Sequence, residues 1–502
     1  MMNYGIGCRP GCTFHRGSSA FRTRVREMKV CLVNPPPHRI QEPMYDTPLF
    51  VRPALACLGA TLREAGIDCV LVDAKFERLS EQQVLDRVQA SGAALVGFTA
   101  FTNEIQPAAR IARAVKDREP RMRTAIGGVH VTAIPRRTML EFPQFDIACI
   151  GQGDRTIVEL VAALDGNRSL DTVAGLMWRE DEEVKGNPKE APPPSLRDLP
   201  MPAWDLLPAG ARYHLMTARG CPYNCNFCQN PNGRIVQRRT IEQVIAECER
   251  VLSSFAPKDP INIWFDDEIF TVDMKRTHAL CDAILAAGLQ KRIGWWAQTH
   301  VNVIDEPLLR KMKEAGCKRV GFGLESADES VLRGTGKGST IERARAACRA
   351  AERVGMPLET FFILGHPGET AASARNTIDF AVRINPEIPI FGIMVPYPGT
   401  HVAEMAERGE GGYRFISRDW NDYNKQIGGA LEFEHLSRFQ LEWIQTAGYL
   451  KVFWANARYA DLARFIWTYR RQGFTVLRKW GDGMAAAMLP SAARRRGDRC
   501  TN

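Results

Sequence analysis

The chain has 502 residues, of which 45% are hydrophobic and 25% charged, and a formal net charge of +9; this is the make-up of a globular protein long enough for about three ordinary domains, and it excludes collagen-like and charge-dominated disordered classes. No apolar run reaches the roughly 18 residues of a membrane span, and the charge excess is modest and partly held in tails such as Arg494-Arg495-Arg496, which gives no footprint for nucleic acid. The 14 cysteines are scattered rather than arranged as the compact framework of a small secreted domain, which implies a reducing, cytoplasmic setting.

Residues 1–27 are basic and carry no sustained apolar period, so they read as a disordered extension or an overextended gene start ahead of Met28. Cys8 and Cys12 in that stretch have no partner cysteines nearby. Residues 28–170 then alternate short apolar runs, KVCLV (29–33), CVLVD (69–73), ALVGF (94–98), RTAIG (123–127) and DIACI (146–150), with segments of helical period. Such alternation requires a parallel sheet covered on both faces, and five units predict an α/β domain of flavodoxin-like winding. Ligands of these sheets sit beyond the carboxyl ends of the strands. The residues there are Asn34, Thr99 and Thr102, Gly127-Gly128 with His130 and Thr132, and Gly151-Gln152-Gly153-Asp154. The glycines allow close backbone approach to a large flat ligand.

Residues 171–209 hold a predicted hairpin, VAGLMWREDEEVKG, and a proline-rich linker whose prolines can continue neither a helix nor a central strand. A second alternation fills residues 210–402, with strands predicted at 213–218, 261–265, 293–297, 319–323, 359–364 and 391–395. Six strand-helix units predict an open (β/α)6 partial barrel with its chemistry at the strand carboxyl ends. Polar clusters stand at those ends: Asp266-Asp267-Glu268, Gln298, Glu325-Ser326, the turn from Gly365 to Gly368, and PYPGT (396–400). Residues 403–502 are predicted to be a helical region capping the barrel mouth, with a long helical stretch from His435 to Arg470. Trp420, Tyr423, Trp443, Tyr449 and Trp454 are read there as core rather than as the lining of a substrate cavity. Lys451, Arg458 and Arg464 interrupt its apolar run, so it reads as packed helices that leave room for contact with a membrane surface.

The strongest signal lies after the first barrel strand. Cys221, Cys225 and Cys228, in CPYNCNFC, supply three thiolates from one short loop. A structural zinc site wants four ligands, whereas a [4Fe–4S] cluster held by three thiolates keeps one iron open for a substrate. With Phe227 before the last cysteine, this motif resembles the signature of radical S-adenosylmethionine (SAM) enzymes, in which SAM chelates the open iron. KEAGCKRVGFGLES, GKGST, GHPGET and PYPGT extend the likeness. The GGxHxT run and the last glycine pair of the first domain are similar to the cobalamin-binding domain that precedes the barrel in one large subgroup. That subgroup includes class B methyltransferases and the anaerobic magnesium-protoporphyrin monomethyl ester cyclases.

The resemblance implies three cofactors: a [4Fe–4S] cluster on the three cysteines, SAM and cobalamin. Asp266 or Asp267 would hold the SAM ammonium group, Glu325 or Ser326 its ribose or carboxylate end, and the Gly365 to Gly368 turn its adenine side, with Phe227 and Gln298 alongside. Cobalamin would lie against Asn34, Thr99, Thr102, Gly127, Gly128, His130, Gly151 and Gly153. The Asp-x-His-x-x-Gly element that ligates cobalt in methionine-synthase-like domains is absent, its place taken by NPPPHRI, so His130 is assigned a positioning role. Other departures are Gly-Gln-Gly-Asp for Gly-Glu-Gly-Glu, His300 for a common Arg, and Ala327 for a usual Gly. The implied activity is reductive cleavage of SAM to a 5′-deoxyadenosyl radical, with methylation of an unactivated carbon in a small molecule. Cyclisation or rearrangement in tetrapyrrole, hopanoid or natural-product pathways is the alternative within the family, and a non-catalytic cobalamin-responsive binding protein the alternative outside it. A low-potential flavodoxin or ferredoxin is the implied electron donor.

Overall fold

The computed structural model describes residues 28–36, 50–166, 168–187, 193–255, 260–425 and 429–470. The basic extension with Cys8 and Cys12, the HRI of NPPPHRI with the last proline before it, and the arginine-rich tail lie outside the described residues.

Strands β1 (Val30–Asn34), β2 (Cys69–Asp73), β3 (Leu95–Thr99), β4 (Arg123–Gly127) and β5 (Ile147–Cys149) are parallel in the order β2-β1-β3-β4-β5, the flavodoxin-like winding that the alternation predicts. All five residues of β1 are buried. Val30 and Leu32 enter one hydrophobic core and Cys31 and Val33 the other, so the strand alternates between two helical layers, as a sheet covered on both faces must. The hairpin β6 (Leu176–Glu180) and β7 (Glu183–Asn187) pairs antiparallel onto β5, making seven strands. Sequence grouped this hairpin with the linker. Its apolar residues Leu176 and Met177 are buried and close the open edge that the three-residue β5 would otherwise present.

After the linker the chain forms β8 (Arg212–Leu215), the short antiparallel pair β9 (Ala218–Arg219) and β10 (Gln237–Arg238), and then β11 (Ile261–Phe265), β12 (Ile293–Thr299), β13 (Cys317–Glu325), β14 (Leu358–Leu364) and β15 (Ile388–Ile393). β8 and β11 to β15 form one parallel six-stranded sheet in sequence order, the partial barrel. One core runs from the helices on the first sheet, through Leu55, Leu62 and Ile157, past Trp204 of the linker to Tyr213, Val244 and Phe265 of the barrel. The two units therefore pack through shared apolar surface as well as through loops.

A small ribbon, β16 (Tyr413–Phe415) with β17 (Leu431–Phe433), precedes the C-terminal helices. The predicted long helical stretch is two helices, Arg438–Ala455 and Tyr459–Thr468. Ala457 sits between them at φ 55°, a left-handed residue that no helix continues through. Ser437 and Gln440 form a reciprocal capping box at the first helix's start. Trp420 and Tyr423 are buried against the first domain, and Tyr449 accepts a hydrogen bond from the Phe391 amide at 3.0 Å. Trp443 and Trp454 are exposed, so the core reading fails for those two. They sit on the helix face opposite Leu441, Ile444 and Val452, which meet the barrel core.

Candidate active site

The cysteine loop is fixed from below and from one side. Beneath it, Asp267 accepts from the Thr217 amide at 2.6 Å, the Thr217 hydroxyl at 2.5 Å and the Ala218 amide at 3.0 Å. Gly220 then turns the chain at φ 103°, where a Cβ would overlap the Ile235 carbonyl, and its amide donates to Glu268 at 3.1 Å. Within the loop the Cys221 amide donates to Gly233, and Asn230 donates to the Cys221 carbonyl. From the side, Gly334 and Thr335, just before GKGST, close over the loop: the Asn226 amide and side chain donate to Thr335 and Gly334, both at 2.8 Å. Gly336, at φ 69°, passes so close to the Asn224 carbonyl that a Cβ would stand 2.6 Å from it.

Cys221, Cys225 and Cys228 line a single cavity of about 610 Å³ at the carboxyl ends of the barrel strands. Burial pushes Cys225 up to about 12 and raises Cys221. These thiols are therefore not activated as free nucleophiles, and a cation must supply the charge that deprotonates them. No three His, Cys, Asp or Glu side chains among the described residues converge on a point suited to a single metal ion. Three thiols that share a void without converging fit a cubane, which presents a separate iron to each.

The opposite wall carries charge. Lys337 Nζ lies 2.5 Å from Glu325 Oε1, both buried. Glu325 holds φ 60°, an uncommon conformation for a residue with a Cβ, and a Cβ on Gly323 would collide with the Lys337 ammonium. Strained backbone and a glycine together make room for this pair. His300 stacks on Tyr223 at 4.0 Å and takes the Asn302 amide on Nδ1. Its Nε2 is buried without a partner, and burial lowers the ring to about 4, so it lines the cavity as a neutral imidazole. Phe227 meets His366 edge-on at 5.7 Å.

The sequence-nominated residues divide. Cys221, Cys225, Cys228, Phe227, Gln298 and Glu325 line the cavity. Asp267 does not, because its oxygens are taken by the strand-end amides, and desolvation pushes it up to about 7. Asp266, half exposed, sits 3.5 Å from His214 Nδ1. The carboxylate of this cluster that faces the cavity is Glu268, oriented by Gly220 and, at 2.6 Å, by Asn232. β11 ends at Phe265, so all three carboxylates stand beyond the strand: Asp267 folds back onto the Thr217 and Ala218 amides and Glu268 turns to the cavity. Ser326 is buried against Thr377, and Gly365 lies under Phe433 with its amide on Glu369 at 2.5 Å. Gly365 and Gly368, both at positive φ, shape a turn beside the cavity rather than its wall. Lys337 was missed, although GKGST marked its position.

On the first domain's side, Lys75 after β2 and Asn103 after β3 reach the same cavity. Several nominated residues bond to one another instead. Asn34 donates to Asp73 at 2.6 Å and accepts from Arg52, which pairs with Glu104 at 2.6 Å. His130 is fully buried, 3.4 Å from the Thr102 hydroxyl and edge-on to Trp420, and burial lowers it to about 3. It does not line the cavity. Gly128, at φ 103°, lies where a Cβ would meet the Ala100 carbonyl at 2.7 Å and Thr99 at 3.1 Å, and the Gly127 backbone accepts from Ala100. Gly151 donates to Thr132 at 3.0 Å, and Gly153 opens the helix Gly153–Leu164. The departure Gly-Gln-Gly-Asp has a use: buried Arg219, two residues before Cys221, binds Asp154 at 2.6 Å and Gln152 at 3.1 Å. That clamp ties the last loop of the first sheet to the root of the cysteine loop. The carboxyl ends of both sheets thus bound one space, which Lys75 and Asn103 enter from the first and the cysteine loop from the second.

Residues 215–381 match the radical SAM superfamily and residues 51–161 the B12 binding domain. Over 441 residues the chain is 31% identical to an uncharacterized methyltransferase of Pyrococcus horikoshii, covering 86% of this chain and 93% of that one. It is 30% identical over 361 residues to the anaerobic magnesium-protoporphyrin IX monomethyl ester cyclase of Rubrivivax gelatinosus, covering 68% of this chain and 64% of the cyclase. In fold it resembles the radical SAM methyltransferase TsrM of Kitasatospora setae, solved with cobalamin and a [4Fe–4S] cluster, at a TM-score of 0.67, 17% identity and coverage of 86% and 89%. The cobalamin-dependent SAM radical enzyme OxsB gives 0.69 at 16% identity, covering 92% of this chain and 81% of OxsB. The chain belongs to the cobalamin-binding radical SAM enzymes, whose cofactors are a [4Fe–4S] cluster, SAM and cobalamin.

Proposed function

We propose that this enzyme methylates an unactivated carbon of a small organic substrate. The observation that carries the reading is the single cavity walled by the three cysteines on one side and by Lys75 and Asn103 of the cobalamin domain on another. A substrate there lies between the two cofactor sites. When bound, the cofactors supply one-electron cleavage of SAM and a methyl carrier. Cys221, Cys225 and Cys228 hold the cluster. Glu268 receives the SAM ammonium group in place of Asp266 or Asp267, and Lys337, oriented by Glu325, meets the carboxylate in place of the Arg that His300 replaces. His300 offers its unpartnered Nε2 as one hydrogen-bonding site, and Gln298 another. Cobalamin lies against the glycine turns at Gly128 and Gly151, with no nitrogen from His130. A low-potential flavodoxin or ferredoxin in the cytoplasm provides the electrons.

Relatives named as methyltransferases support methyl transfer, and the cyclase relative supports ring closure as the competing outcome. The test is an anaerobic reaction of the reconstituted protein with methyl-deuterated SAM and a small-molecule extract, followed by mass spectrometry. A product carrying the intact deuterated methyl group is the expected result. A dehydrogenated or rearranged product without label would assign cyclisation, and absence of SAM cleavage by protein with full iron content would leave only a binding role.

A further inference from the structure

Thirteen large hydrophobic side chains are exposed among the described residues, and seven of them belong to the two C-terminal helices: Phe439, Trp443, Leu450, Trp454, Tyr459, Ile466 and Trp467. In the helix Arg438–Ala455 the four at 439, 443, 450 and 454 follow the spacing of a single face, within about 60° of arc at 100° per residue. Trp454 is 66% exposed and packs edge-on to Tyr459 at 5.4 Å, which carries the strip onto the helix Tyr459–Thr468, where Trp467 is 69% exposed. Scattered surface hydrophobics are normal, but a continuous aromatic strip is the mark of an interaction site.

Charge identifies the partner. From Arg438 to the end, the chain has twelve Lys and Arg against four Asp and Glu, so this stretch carries eight of the molecule's nine net positive charges, three of them within residues 438–470 and five in the sequence that follows, outside the described residues. Arg464 stands 76% exposed beside Ile466 and Trp467. Tryptophan and tyrosine with isoleucine and leucine, flanked by arginine, is the composition that partitions into the headgroup region of a bilayer. A protein partner would be matched by the rings alone, whereas the concentration of positive charge at this end calls for an extended anionic surface. We propose that the two C-terminal helices dock the enzyme on an anionic lipid membrane, rings in the headgroup layer and the exposed Arg464 and Arg470 on the lipid phosphates. No helix among the described residues is long and apolar enough to cross a membrane, so the attachment is peripheral. The inference is independent of which substrate is methylated.

The experiment is flotation of the full-length protein with vesicles of phosphatidylcholine alone or mixed with phosphatidylglycerol, at low and high salt. Binding should require phosphatidylglycerol and weaken with salt. The double variant Trp454→Ser with Trp467→Ser should bind at least about tenfold more weakly, since these rings supply buried area. Both sites are exposed, so the variant keeps its fold, and an unchanged cluster content per chain checks this. No flotation of the wild type, or equal flotation of the double variant, overturns the proposal. Two further measurements decide against other occupants. A wild-type dimer that the double variant dissociates assigns the strip to a second copy and overturns it. Protection of Trp454 and Trp467 from hydroxyl-radical labelling in vesicle-free protein shows that the chain itself covers them, and also overturns it.

Discussion

The two parallel sheets end in similar polar residues, yet those residues are engaged differently. At the first sheet Asn34, Asp73, Arg52 and Glu104 bond to one another, Thr102 meets His130, and Thr132 meets Gly151. At the barrel Glu268, Gln298, His300, Glu325 and Lys337 face an open cavity. A polar residue after a strand is therefore one signal with two meanings. In the first sheet these groups satisfy each other and tie the loops beyond the strands together. In the barrel they line the cavity even where they are paired, Glu325 with Lys337 and Glu268 with Gly220 and Asn232, and His300 Nε2 has no hydrogen-bond partner.

The difference predicts separable consequences. The largest concerns the cysteines: Ala at Cys221, Cys225 or Cys228 should abolish SAM cleavage, because losing one thiolate leaves a second iron without a protein ligand. Iron analysis with measurement of 5′-deoxyadenosine checks it, and a triple variant that keeps four irons per chain contradicts it. Next comes the contrast between neighbours. Glu268→Gln should weaken SAM binding at least tenfold, by about 1.4 to 3 kcal/mol, with iron content and melting temperature unchanged. Asp267→Ala should do the reverse, lowering the melting temperature through the two amides and the hydroxyl it strands while cluster-loaded protein retains SAM affinity. If Asp267→Ala alone abolishes SAM binding in folded protein, the assignment to Glu268 fails.

Element order and both sheet topologies were legible because apolar runs at strand length alternate with helical periods, and that pattern admits few solutions. The three cysteines were legible because their chemistry depends on spacing within one loop. Lys337 and Glu268 were harder. The lysine reaches the cavity only because the loop after β13 folds back over Asn224, a long-range closure that local sequence does not encode. Asp266, Asp267 and Glu268 are alike in type, and only the distant partners that each meets, Thr217 and Ala218 for Asp267 and Gly220 and Asn232 for Glu268, separate them. The hairpin was misgrouped for a related reason, since the free edge it covers belongs to a strand 27 residues upstream, with Cys149 opposite Leu176.

The smallest expected effect tests whether His130 belongs to the self-satisfied group. Its ring is fully buried between Thr102 and Trp420, with Arg137 over the ring of that tryptophan, and both burial and the guanidinium disfavour the imidazolium. The folded value lies at about 3, below the ordinary histidine value of about 6.5. As pH falls through about 6.5 the unfolded chain takes up a proton that the folded chain refuses, so stability from this site is complete above that pH and declines as pH falls toward the folded value. The melting temperature of the wild type should therefore drop between pH 7 and pH 5, and that of His130→Gln should drop less, since glutamine cannot titrate. The slope is the informative quantity, because a changed packing energy moves both temperatures together. Equal slopes would mean that His130 is open to solvent or ligand, and would return it to the residues that face the cavity.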